Sequence, residues 1–286
     1  MFGRRQAAIV GAEFLGTGFL ALVMLSVQHS QIGVAYFVAL AAGITVSAAT
    51  LIFGRLDGAH FNPAITIGLW TARQIKSLAA LAYIVAQLLG AWAAYYLYAY
   101  LVKPNTQLQL TPIGGHYDGR VLVAEAVGAL LLSLAFAAAV FNRYVRTQTA
   151  LLVGAAYMLA IIVAGAAITT DGTAMAIGIV NPAVALSMRA FAVFGSMGWG
   201  TYALGPVLGA IIGVNLYAIL FAPESSLTRM RAVLGGKSAG SVSGAMTVSS
   251  AMPMPAEAAS GEPKTAKPVA GKRRTGRSSG RKPGKK

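Results

Sequence analysis

The chain has 286 residues, of which 56% are hydrophobic, only 11% are charged and none is cysteine. A soluble domain carries about 25% charged residues, so this composition indicates a membrane protein, and the missing cysteines exclude disulfides, thiolate metal sites and cysteine nucleophiles. The net charge of +15 would be typical of a nucleic-acid-binding protein, but 13 of the 23 basic residues lie in residues 224–286, so most of the charge belongs to a tail and no nucleic-acid partner is expected.

Six segments are apolar over a length that crosses a bilayer, which takes about 20 residues for about 30 Å of hydrocarbon. They cover approximately residues 7–27, 33–54, 78–101, 121–141, 148–169 and 199–222. The first segment follows Arg4 and Arg5 but is too long for a signal peptide and lacks a convincing cleavage site. The sequence therefore predicts an all-α membrane protein with six transmembrane helices.

Two shorter apolar segments remain, at residues 62–71 and 181–190. Each is about ten residues long, which is too short to span and is typical of a re-entrant half-helix. Irregular backbone at membrane depth is tolerated only where protein buries it or where it lines a wet cavity. Two half-helices therefore predict a polar path through the protein.

Three pairs of motifs occur in the same order in both halves of the chain. AEFLG opens the first span at residues 12–16 and AEAVG opens the fourth at 124–128; NPA follows the second and fifth spans; YxxAQLxGA begins at Tyr83 and YxxGPVxGA at Tyr202. A membrane domain of residues 1–223 thus consists of two related halves, about 7–101 and 121–222. Because each half has three spans, the second half is inverted, and the pathway is expected near the midplane where the repeats meet.

The two NPA motifs, Asn62-Pro63-Ala64 and Asn181-Pro182-Ala183, have the residues that begin a helix. Asn is a preferred N-cap, and Pro is favoured at the first helical position, where no N–H is needed. The half-helices enter from opposite faces, so their N-termini meet near mid-membrane, each with roughly half a positive charge. There the two Asn amides can donate to a water oxygen, while the helix ends repel cations.

Residues 57–66, DGAHFNPAIT, resemble the first pore signature of the aquaporin (major intrinsic protein) family, and the resemblance covers about residues 7–222. Pores of this family are themselves the established example of cation exclusion by half-helix ends. The resemblance implies a channel rather than an enzyme, with a narrow pore in every subunit of a homotetramer and no cofactor or metal. The backbone carbonyls implied to line the pore are those of Gly58, Ala59, His60, Phe61, Ile177, Gly178 and Ile179.

Glu13 and Glu125 need an explanation because a carboxylate inside a span is costly. The family resemblance implies that each supports a pore loop by accepting backbone N–H groups. The alternatives are interfacial, solvated charges or a proton relay. Gln87 is expected to be a polar contact inside the bundle, and His60 a hydrogen-bonded loop residue rather than a metal ligand.

The sequence departs from the family pattern directly after the second NPA, where Val184 replaces the usual arginine. The position twenty residues before Asn62, where the family commonly has an aromatic residue, is Ala42. With Gly178 and Thr169 as further members, the selectivity filter would be wide and uncharged. We therefore expect a less size-selective pore, unless another side chain narrows it and preserves selectivity for water.

The predicted function is passive conduction of water, with glycerol, urea and ammonia as further neutral solutes. A coupled secondary transporter and a non-conducting structural membrane protein are the alternatives. Seven Lys/Arg residues in the loops on one side against three on the other place both termini in the cytoplasm, in the plasma or inner cell membrane. Residues 224–286 read as a disordered basic tail that is solvated, contacts anionic lipid or binds another partner.

Overall fold

The computed structural model describes residues 3–28, 30, 35–54, 59–102, 119–166, 178–192 and 197–223. Six helices in it are long and apolar enough to cross a membrane, which confirms the predicted six-span, all-α fold. The helices are α1 (Arg4–Gln28), α2 (Ala35–Phe53), α3 (Pro63–Thr71), α4 (Ser77–Leu101), α5 (Gly119–Phe141), α6 (Arg146–Ala166), α7 (Pro182–Ser187) and α8 (Met197–Leu220). The short helices α3 and α7 are the two half-helices, and the tail lies outside the described residues.

The second half-helix is shorter than its apolar sequence predicts. It ends at Ser187, and the backbone N–H of Met188 donates to the Val184 carbonyl as its last helical bond. Arg189 then adopts a left-handed conformation with φ of 56°, a common way to stop a helix. A separate 3-10 turn follows at Ala190–Ala192.

The last span is not a uniform α-helix. Its first part includes a π-helical turn at Gly200–Leu204, and regular α-helix runs over Gly205–Leu220. Pro206 lies at the start of this regular part, where it has no N–H to offer to the preceding turn. The wider turn thus accommodates the proline inside a transmembrane helix.

The two halves make equivalent contacts inside the bundle. Helix α1 packs against α4 as α5 packs against α8. A Cβ added at Gly90 would overlap the Phe14 carbonyl, and one added at Gly209 would overlap the Ala126 carbonyl. Glycine in the YxxAQLxGA and YxxGPVxGA motifs therefore allows the helix backbones to touch, as small residues do in membrane bundles.

Helices α2 and α6 cross at a reciprocal glycine contact, which relates the two halves directly. A Cβ on Gly43 would lie 2.6 Å from the Gly154 carbonyl oxygen, and a Cβ on Gly154 would lie 2.6 Å from the Gly43 carbonyl oxygen. Since each glycine meets the other in the same way, the two residues occupy equivalent positions in the repeat. The crossing also brings both pore loops to one axis, because each loop follows one of these helices.

Candidate pore site

The first pore loop is held by the buried carboxylate of Glu13 in α1. Its Oε1 accepts the backbone N–H of His60 at 2.9 Å, and its Oε2 accepts that of Phe61 at 2.9 Å. Gln87 of α4 donates its Nε2–H to Glu13 Oε2 at 2.7 Å and to Thr66 Oγ1 at 3.0 Å. The carboxylate therefore accepts three hydrogen bonds and anchors residues 59–61, which have no regular secondary structure.

The second pore loop is held in the same way by Glu125 of α5. Its two oxygens accept the backbone N–H groups of Ile179 and Val180, each at 2.7 Å. Glu13 and Glu125 are both fully buried, with 0% exposure. Neither is an interfacial, solvated charge, because each is enclosed and bonded to the two residues that precede an NPA asparagine.

The residue before each asparagine has an unusual backbone conformation. Phe61 has φ of 51° and Val180 has φ of 48°, the left-handed region that a β-branched residue rarely enters. Such a conformation costs about 1–3 kcal/mol and persists only where surrounding contacts fix it. Here the glutamate hydrogen bonds supply those contacts at the backbone N–H of each residue.

The glycine that ends each AExxG motif makes room for the same two residues. A Cβ at Gly16 would overlap the Phe61 ring, and a Cβ at Gly128 would lie 2.7 Å from Val180 Cγ1. Each motif therefore has two functions, since its glutamate binds the loop backbone and its glycine, three residues later, receives a loop side chain.

The two NPA asparagines each begin a half-helix and reach across to the opposite loop. Asn62 Oδ1 accepts the Ala64 N–H at 2.9 Å, and Asn181 Oδ1 accepts the Ala183 N–H at 3.0 Å, with prolines at the first helical positions. Asn62 Nδ2 donates to the Val180 carbonyl at 2.9 Å, and Asn181 Nδ2 donates to the Phe61 carbonyl at 2.8 Å. The structure thus brings both NPA motifs together around one point, with the helix ends facing each other.

Tyr157 of α6 is a site residue that the sequence analysis missed. Asn181 Nδ2 donates a second hydrogen bond to the Tyr157 hydroxyl at 3.0 Å. A single tyrosine in an apolar span does not form part of any sequence motif that would mark it as functional. The spacing to the NPA motifs does not identify it either, because Asn181 follows Gly154 by 27 residues while Asn62 follows Gly43 by 19. Only the helix crossing described above relates the position to the first half.

A cavity of about 570 Å³ opens at the end of the bundle where α3 ends and α4 and α6 begin. Three basic side chains, those of Lys76, Arg143 and Arg146, line it, and Ala59 and His60 of the first pore loop lie at its inner end. His60 Nδ1 is 3.3 Å from Thr66 Oγ1, so this histidine belongs to the loop's polar network. In the described part of the chain, no cluster of residues can hold a metal ion.

The filter candidates are only partly within the described residues. Ala42 and Val184 are fully buried. Gly178 lies against α6, where a Cβ would come within 2.5 Å of the Ile161 carbonyl oxygen. Thr169, like the carbonyl candidates Gly58 and Ile177, lies outside the described residues. Of the remaining carbonyl candidates, Ala59, His60, Phe61 and Ile179 are all buried in the two loops.

Six spans around two half-helices whose N-termini meet inside the bundle define a channel rather than a soluble binding protein. A sequence profile of the Major intrinsic protein family matches residues 5–217. Aquaporin Z of Photorhabdus laumondii subsp. laumondii is 26% identical over 239 residues, covering 78% of this chain and all of that protein (100%). Aquaporin-1 of Ovis aries is 31% identical over 195 residues, covering 66% of this chain and 68% of the relative.

The fold also matches a solved structure. The X-ray structure of the aquaglyceroporin from Plasmodium falciparum superimposes with a TM-score of 0.60 at 20% identity, covering 78% of this chain and 99% of that one. The chain belongs to the major intrinsic protein family. It is a passive membrane channel and not an enzyme.

Proposed function

We propose that this channel conducts water and small neutral solutes down their gradients through a path that passes between Asn62 and Asn181. The observation that carries this proposal is the pair of facing half-helix N-termini joined by the two cross-loop hydrogen bonds. Among the described residues, Asn62 Nδ2 has one acceptor, the Val180 carbonyl, so its second N–H is free to donate to a permeant oxygen. The two positive helix ends disfavour cations at the same point.

The buried carboxylates argue against coupled transport. A coupled carrier needs an ionisable pair or an ion site near the midplane. Among the described residues, the buried acidic groups are Glu13 and Glu125, and each is occupied by backbone N–H donors from its own loop. The similarity to Aquaporin Z and Aquaporin-1 supports the same function for this chain.

Charge exclusion is proposed to rest mainly on the helix ends, because Ala42, Thr169, Gly178 and Val184 give an uncharged outer filter. A unit charge about 4 Å from the permeant, at an effective dielectric constant of about 20, would contribute about 4 kcal/mol. With valine at position 184, this contribution is missing. The loop carbonyls are proposed to accept hydrogen bonds from the permeant along the path.

The cellular setting is proposed from charge and family. The basic residues at the mouth of the 570 Å³ cavity, Lys76, Arg143 and Arg146, support a cytoplasmic location for that end and for both termini. We propose a homotetramer in the plasma or inner cell membrane. The basic tail, residues 224–286, is proposed to be solvated or to contact anionic lipid.

Stopped-flow light scattering on proteoliposomes tests the function. We expect osmotic water permeability well above that of protein-free vesicles of the same lipid, with no dependence on an imposed pH gradient. The permeabilities to ammonia, urea and glycerol are measured in the same vesicles. Val184→Arg is expected to lower solute and proton flux, while Val184→Leu controls for bulk without charge. Water permeability equal to that of empty vesicles would contradict the proposal.

A further inference from the structure

The midplane of the pathway is closed by a side chain in this structure. Asn62 and Asn181 have 0% exposure and Tyr157 has 1%, although the wide cavity at one end of the bundle reaches as far as His60. Water therefore has no contact with either asparagine. The Tyr157 hydroxyl contacts Asn181 and accepts a hydrogen bond from its side-chain amide at 3.0 Å.

The first half of the molecule has a smaller residue at the equivalent position. Gly43 and Gly154 are equivalent because they meet reciprocally where α2 and α6 cross. Three residues after each glycine, on the helical turn nearer its pore loop, lie Val46 and Tyr157, and both are 1% exposed. The repeat thus has an isopropyl group on one side of the axis and a phenol on the other.

The phenol also changes the hydrogen-bonding groups at this point. An Asn amide has two N–H donors. Asn181 uses one for the Phe61 carbonyl and the other for Tyr157, whereas Asn62 uses one, for Val180. Among the described residues, the Tyr157 hydroxyl has no acceptor for its own hydrogen. With the phenol in this position, the centre therefore presents one amide N–H and one hydroxyl, instead of two amides.

We propose that Tyr157 is the size-determining residue of this pore, and that it restricts permeation to water and comparably small solutes, excluding glycerol. This proposal rests on the proposed channel function and names its substrate class. Passage requires the phenol to move away from Asn181, and a water oxygen then accepts the amide N–H that the phenol releases. The proposal assigns the size limit to the midplane and not to the small residues of the outer filter, of which Ala42 and Val184 are also fully buried.

Three variants in proteoliposomes test the proposal. Tyr157→Val installs the side chain that the first half has at this position, and Tyr157→Phe removes only the hydroxyl. Tyr98→Val is the matched control, since Tyr98 is also buried in a span but lies eleven residues beyond Gln87 in α4, about 16 Å along the helix. Size-exclusion profiles and thermal unfolding of each variant in detergent identify those that remain folded.

We expect Tyr157→Val to raise water permeability several-fold and to admit glycerol. Tyr157→Phe is expected to raise water permeability modestly while glycerol stays excluded, because the ring remains. Tyr98→Val should resemble the unmodified protein. A silent unmodified protein would contradict the water conduction proposed above, even if the Tyr157→Val variant conducts. The proposal would be overturned by a folded Tyr157→Val variant whose water and glycerol permeabilities equal those of a conducting unmodified protein. Failure of every protein, including Tyr157→Val, to exceed empty vesicles would instead overturn the channel function.

Discussion

The two pore loops have equivalent backbone bonds but different surroundings. In the first loop, Glu13 also accepts a bond from Gln87, whose side chain continues to Thr66. In the second loop, Glu125 has the two backbone N–H groups, and Pro206 and Ala185 stand where the first half has Gln87 and Thr66. The first loop thus belongs to a polar network of side chains, whereas Glu125 alone holds the backbone N–H groups of the described part of the second loop.

This difference shows that the two halves of a duplicated structure can have different roles. One half gives extra support to its pore loop, and the other places a side chain against its asparagine. The polar network gives the first loop more than one source of support. The second loop has less support, but α6 beside it contributes Tyr157, which contacts Asn181 from outside both loops. Substitutions at equivalent positions of the two halves should therefore have unequal effects.

The largest difference is expected between Glu125→Ala and Glu13→Ala. Glu125→Ala leaves the Ile179 and Val180 N–H groups buried without acceptors, at about 1–3 kcal/mol each. It also releases Val180 from its left-handed conformation. Glu13→Ala removes the acceptor of the His60 and Phe61 N–H groups, but Gln87, which is hydrogen-bonded to Glu13, remains as a neighbouring amide that the second half lacks. Unfolding in detergent, followed by fluorescence of the 3 tryptophans, should show the greater loss for Glu125→Ala, and equal losses would contradict the comparison.

A smaller difference is expected between Gly128→Ala and Gly16→Ala. The added methyl at residue 128 would lie 2.6 Å from the Ala160 carbonyl oxygen, so α5 and α6 must separate, whereas at residue 16 its nearest neighbours are atoms of the Phe61 ring. Overpacking of this kind costs about 1–3 kcal/mol. We expect the destabilisation by Gly128→Ala to be near the upper limit of this range and that by Gly16→Ala to be near the lower limit. Thermal unfolding of the two variants in parallel measures this, with Gly11→Ala as a control at a position open to additional atoms.

The smallest effect is expected for Thr66→Val, which makes the first loop more like the second. The change removes the acceptor for Gln87 and the bond from Thr66 Oγ1 to the Asn62 carbonyl, each worth about 0.5–1.5 kcal/mol. Water permeability should remain close to that of the unmodified protein, since the second half has alanine, without a hydroxyl, at the equivalent position 185. A large loss of permeability in a folded protein would mean that the network shapes the path itself.

The spans and half-helices could be predicted because their signals are local. Apolar length marks the six spans, and Asn followed by Pro marks the start of α3 and α7. The end of α7 was not predictable, since it depends on Arg189 adopting a left-handed conformation within an apolar run. The loop-supporting role of the glutamates came from family resemblance, not from the residues alone.

The contribution of Tyr157 could not be predicted because it depends on contacts between helices that are distant in sequence. The chain between the α2–α6 crossing and the NPA motif is longer in the second half, so counting back from Asn181 does not reach the residue opposite Val46. The two equivalent positions become visible only when Gly43 and Gly154 are seen in contact. Burial of the pore residues likewise results from packing and is not readable from hydropathy.

The exchanged asparagine bonds also affect how the protein is made. The ribosome completes the first half, including α3, before residues 180 and 181 exist, yet the Asn62 amide and the Phe61 carbonyl find their partners only in those two residues. Lipid offers no substitute for either bond. The first re-entrant segment must therefore stay hydrated after synthesis and reach its final position late, once the C-terminal half has been inserted beside it.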